Sequence, residues 1–150
     1  MAINIFPSRE VECQLVGGQV TRDVNRMSIK YYSIYNILTI IKKRPGMYVG
    51  EVSLRSIKVY LHGYEMAMMD AGVKDVSIPR FHDFNEFVRE KYGYYESTAG
   101  WVNMILAVTI GLDPRNISWK TYGQAVTFEQ HKKSVELFYQ LLSEFCSKVA

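Results

Sequence analysis

The stretch from Thr127 to Ala150 constrains the fold most, because its apolar residues follow a spacing that only a helix satisfies. Phe128, Val135, Phe138, Leu142, Phe145 and Val149 make one stripe, and Lys132, Glu136, Gln140, Glu144 and Lys148 make the opposite face. A strand alternates with period two and cannot separate these two sets. Such a helix, opened by Thr127, needs further apolar surfaces to cover its stripe.

The rest of the chain supplies them. From Ser28, Tyr31, Ile34, Leu38 and Ile41 recur at helical spacing, Ile37 and Ile40 add apolar surface on other sides, and Lys42-Lys43-Arg44 places cations at the C-terminal end. Pro45 stops that run. Leu54, Ile57, Leu61, Tyr64, Met68 and Ala71 form the clearest periodic run, with Ser53 as its cap and Gly72 as its terminator. A shorter helix follows Pro79, with Asp83 and Glu86 at capping-box spacing, Phe84, Phe87 and Val88 apolar, and an end near Gly93. A fourth spans about Thr98 to Gly111. The sequence predicts a mainly α, single-domain helical bundle of about five helices over residues 27–150.

Residues 1–26 read in two ways. Val11, Cys13 and Leu15 before Gly17-Gly18, with Val20, Arg22 and Val24 after, suggest a short N-terminal hairpin; Met27-Ser28 as a natural start would make them a variable or appended segment. The connection from Leu112 to Val126, with Asp113-Pro114, Trp119 and Gly123, reads as an ordered loop packed by its own aromatics.

One hundred and fifty residues, 48% hydrophobic and 22% charged, suit one core that needs no disulfide or metal. Cys13 and Cys146 lack zinc-ligand or redox-motif spacing, and a single disulfide between them stays open. No apolar run approaches the roughly 20 residues that span a bilayer, and no signal peptide is recognisable, so the expectation is a cytoplasmic protein without membrane contact. The net charge of +3 is too small for a surface built to neutralise many phosphates. The basic excess lies in residues 28–72, where Lys42, Lys43, Arg44, Arg55 and Lys58 read mainly as a solvated face, and a nucleic-acid-binding module is the weakest reading.

Catalysis needs convergent polar groups, and His62, His82 and His131 fall on three separate helices or their edges. His62 and Glu65 share a helix face at i, i+3, the basis of an alternative reading as a small enzyme. Two ligands without a third do not make a metal site, and neither a nucleophile elbow nor a phosphate-binding glycine loop is present. No catalytic residue, metal or cofactor is therefore expected.

Arg44-Pro45-Gly46-Met47-Tyr48-Val49-Gly50 is the most distinctive string, since a proline and two glycines in seven residues impose a turn. It reads as a helix-to-helix corner with Met47 and Tyr48 in the core. Ile41 to Gly50 resembles a segment near the start of the DNA gyrase B ATPase domain. The following helix, Val59 to Ala67, lacks that family's asparagine, and its glycine-rich boxes are absent, so nucleotide binding is not implied.

A broader resemblance covers residues 28–148. The turn string, then Leu54, His62-Gly63-Tyr64, Phe84 to Phe87, Gly100-Trp101 and Phe138 to Phe145, is similar to small bacterial proteins, some of which resemble immunity proteins of contact-dependent inhibition and polymorphic toxin systems. That resemblance implies a rigid scaffold that binds and neutralises a cognate toxin domain. The expected partner surface lies on residues 83–96, where Asp83, Glu86, Glu90 and Glu96 outnumber Arg89 and Lys91 and interleave with tyrosines. Tyr94, Tyr95 and Glu96, beyond Gly93, are expected to be exposed, with Trp119 joining them.

Overall fold

The computed structural model describes residues 32–120, 122 and 126–150, and these hold six helices and no strand. The hairpin assigned to residues 11–24, the start at Ser28 and Cys13 lie outside the described residues. In chain order the helices are α1 (Ile34–Lys43), α2 (Pro45–Val49), α3 (Leu54–Asp70), α4 (His82–Tyr92), α5 (Gly100–Thr109) and α6 (Phe128–Val149).

Helix α1 begins later than the sequence predicts. Its cap is Ser33, whose hydroxyl accepts from the Asn36 amide at 3.2 Å, and the freed Ile34 amide donates to the Val76 carbonyl at 2.9 Å. Serine satisfies an orphan donor here at the helix start. Ile34, Tyr35, Leu38 and Ile41 then turn inward.

Pro45 does end α1, but it also starts α2, because its fixed φ and missing N–H suit the first position of a helix. The corner is thus a single helical turn, which raises the helix count from five to six. Gly50, at φ +82°, closes it. The expected burial of Met47 and Tyr48 is overturned: Met47 is 71% exposed and Tyr48 38%. Val49 and Val52 pack on the core instead. At 100° per residue, a turn that directs Val49 inward carries Met47 to the far side.

Helix α3 is capped by Ser53 and buries Leu54, Ile57 and Leu61. The Tyr64 hydroxyl ties it to the Tyr32 carbonyl at 2.9 Å. Helix α5 is apolar nearly all round, with Trp101, Val102, Met104, Ile105, Leu106 and Ala107 buried, which marks a central helix. It packs against α3, α4 and α6.

The capping box expected at Asp83 and Glu86 does not form. Phe81 occupies the cap position of α4 with helical dihedrals (φ −63°, ψ −24°) and no side-chain bond to the helix. A side-chain cap requires extended backbone, and here the chain enters α4 from a turn that is already helical.

Helix α6 keeps most of its predicted stripe. Val135, Phe138, Leu142 and Phe145 are buried, together with Tyr139 and Leu141, whereas Phe128 and Val149 at the two ends are exposed. Twenty-two residues extend about 33 Å, against about 25 Å for α3 and about 15 Å for α5, so among the described residues the ends of α6 overhang the helices that cover its middle. Thr127 does open the helix. Its hydroxyl accepts from the Gln130 amide at 3.2 Å, and the Gln130 side chain accepts from the Thr127 amide at 2.9 Å. Thr127→Ala is expected to cost about 1 kcal/mol in chemical denaturation, and an unchanged midpoint would show that α6 is held by packing alone.

Candidate functional site

The predicted partner residues divide into three groups. Asp83, Glu86 and Glu90 are exposed along α4, whose buried side is held by Phe84 and Val88. Tyr95 and Glu96 stand exposed in the loop between α4 and α5, with Tyr95 at 96%. Tyr94 and Trp119 do not belong to the exposed set as expected. Tyr94 is buried, its hydroxyl donating to the Met104 carbonyl of α5 at 2.7 Å. Trp119 is half-buried and stacks on Tyr94, with ring centroids 6.0 Å apart. Adjacent residues leaving a left-handed Gly93 (φ +70°) do not both face one way, and the first is the one buried against α5.

The loop that carries Tyr95 is pinned on both sides. Before it, the Tyr94 amide donates to the Arg89 carbonyl at 3.1 Å. After it, the Ser97 carbonyl accepts from the Asn85 side chain at 3.1 Å and from the Gly100 amide at 3.0 Å. Tyr95 and Glu96 are the tip of a short, tied arch.

Glu86 points its carboxylate toward this arch rather than at the helix start. The Ser97 hydroxyl, then the Arg89 guanidinium at 2.6 Å, stabilise its charged form and hold its pKa below the usual carboxylate value. Glu90 lies 3.7 Å from Arg89 and 3.8 Å from Lys148, while Lys91 pairs with Glu144. Asp83 stands at the opposite end of α4, about 15 Å from Gly93, and is not brought together with Tyr95.

Three contributors escaped the sequence reading. Lys148 and Glu144 reach the α4 face from α6, and no local pattern announces a contact across more than fifty residues. Arg115 lies over Gly93, its guanidinium 3.7 Å from where a Cβ would stand. Its amide donates to the Asp113 carboxylate at 3.0 Å, a turn that Asp113-Pro114 signals.

His62 and Glu65, the pair behind the alternative enzyme reading, both lie on α3. His62 is exposed on α3, and the Glu65 carboxylate accepts from the Ser77 hydroxyl at 2.8 Å. Among the described residues no three His, Cys, Asp or Glu side chains cluster as metal ligands would. Two of the basic residues have neighbours of their own: Lys42 lies over the Tyr139 ring at 5.3 Å, and the Lys58 ammonium is 3.9 Å from the Cβ position of Gly100.

Lys42 also borders an open groove of about 790 Å³ between the α1–α2 corner and α6, with Val52, Phe128, Lys132 and Tyr139 in its walls. No described helix is long and apolar enough to cross a membrane. No family model, curated protein or solved structure matches this chain.

Proposed function

We propose that the protein is a binding module that neutralises a partner protein by occupying a basic cleft, in the manner of the immunity proteins its sequence resembles, with a cognate bacterial toxin domain as that partner. The observation that carries this reading is Tyr95, 96% exposed on an arch tied down at Tyr94 and Ser97. A large side chain with few rotors on a fixed backbone loses little entropy when it is buried by a partner. Glu96 follows it directly and Glu90, exposed beside Arg89 and Lys148, stands five residues before it; a partner's cations lining a cleft that binds phosphate or substrate would join or replace those intramolecular pairs.

The direct test measures affinity for a toxin domain encoded beside this chain. Tyr95→Ala and Glu90→Lys are each expected to weaken binding by more than about 1 kcal/mol, with unchanged far-UV circular dichroism and melting temperature. Wild-type affinity in both folded variants would remove the arch from the interface and leave the basic face of Lys42, Lys43 and Arg55 as the site.

A further inference from the structure

Among the described residues, none covers one ordered face of helix α3. Arg55, Val59, Gly63, Met66 and Asp70 follow one another at spacings of four, four, three and four, so they share one side of the helix, and all five are exposed. Val59 is 72% exposed and Met66 47%. Gly63 sits between them in the helix interior, where glycine is a markedly poorer helix former than alanine. Among the described residues nothing lies within 4 Å of where its Cβ would be, so the described helices do not require the missing side chain, and the notch faces away from them.

The order of these residues reads the same from both ends in a complementary sense. Arg55 and Asp70 are equidistant from the point between His62 and Gly63, and so are Val59 and Met66. We infer that α3 pairs with α3 of a second copy of this chain, antiparallel about a two-fold axis at that point. An isologous contact requires residue i to meet j while j meets i. This register sets Arg55 against Asp70 of the other copy twice, Val59 against Met66 twice, and each Gly63 beside the facing His62. A parallel pairing would set Arg55 against Arg55.

Charge selects the occupant. Arg55 lies within electrostatic reach of Tyr122 in the connection before α6, but neither Arg55 nor Asp70 has an ion-pair partner among the described residues, and the basic end of one helix matches the acidic end of its copy. Small residues at a crossing let backbones approach closely, and a shallow crossing near 20° keeps the ends about 10 Å from the centre within side-chain reach. One 17-residue helix face per copy makes a small interface. A dissociation constant of order 10–100 µM is expected at that size. The inference does not rest on the proposed function, since Tyr95 belongs to a different loop and no toxin is needed to test it.

Sedimentation equilibrium from about 10 µM to 1 mM reads the result. Wild-type protein is expected to associate to a dimer with rising concentration. Arg55→Asp and Asp70→Arg alone should each raise the dissociation constant at least about tenfold, because each sets like charges together twice. Mixed in equal amounts, the two variants should pair with each other, and the chain carrying both changes should dimerise as the wild type does. Both substitutions favour the helix dipole, Asp at the first turn and Arg at the last, so loss of folding does not explain loss of pairing. Gly63→Leu should remove the dimer while raising the melting temperature. Protein that stays monomeric at 1 mM, single variants that dimerise like wild type, or a double variant that stays monomeric would each overturn the inference.

Discussion

Phe84→Ala is expected to destabilise the protein by about 3–5 kcal/mol, a large part of the roughly 5–15 kcal/mol that holds a domain of this size. Phe84 is fully buried and meets five other rings: Phe81 at 5.4 Å, Phe145 at 5.6 Å, Phe138 at 5.7 Å, Trp101 at 5.9 Å and Phe87 at 6.1 Å between centroids. Those rings come from α4, α5, α6 and the turn before α4, so one truncation removes a contact shared by all four. The neighbours are themselves large and flat, three edge-to-face and two stacked on Phe84, and cannot collapse into the space without leaving those arrangements. Urea denaturation at neutral pH measures the loss. A change below about 1 kcal/mol would mean that the cluster repacks freely.

The second large effect is alkaline unfolding. The hydroxyls of Tyr35, Tyr94 and Tyr139 donate to the carbonyls of Pro79, Met104 and Leu38, each in the core. Burial pushes all three hydroxyls well above the ordinary tyrosine value. In the unfolded chain they ionise near pH 10; in the native protein they keep their protons to higher pH. The unfolded state therefore binds fewer protons once pH passes about 10, and stability falls with further alkalinity. The contribution is complete below the unfolded pKa and is lost as pH rises toward the raised native values. Each tyrosine removes roughly 1 kcal/mol per pH unit in that window, so together they remove several. Denaturation free energies from about pH 8 to 11.5, followed with tyrosinate absorbance, should be flat and then steep. Tyr139→Phe should flatten the slope, by at most about a third, since burial raises Tyr92 and Tyr122 as well. Ionisation of these tyrosines before unfolding would contradict the burial argument.

The helices were legible where local chemistry and burial agree. Ser53, Thr127, Gly72 and Gly93 act as the signals they resemble, and the stripe Val135, Phe138, Leu142 and Phe145 is buried as its spacing demands. The reading failed where two outcomes share one local pattern. Asp83 and Glu86 have the spacing of a capping box, yet the backbone at Phe81 arrives helical and the carboxylate of Glu86 turns to Ser97. The Pro-Gly string predicts a turn but not which side chains it turns inward. Tyr94 and Tyr95 are chemically identical neighbours, and nothing local says which one is swallowed.

The sequence by itself determined that this chain is mainly helical and about where most of its helices lie, because helix periodicity, caps and breakers act within a few residues. Only the tertiary structure decided which ends of α6 overhang, that Lys148 and Glu144 meet α4, and that the arch is sewn to α5 by Tyr94. It also decided that Val59, Gly63 and Met66 are left uncovered, although α3 alone carries them on one side. Exposure belongs to the relation between elements: a helix specifies which residues share a face, and only the helices packed around it determine which face meets water.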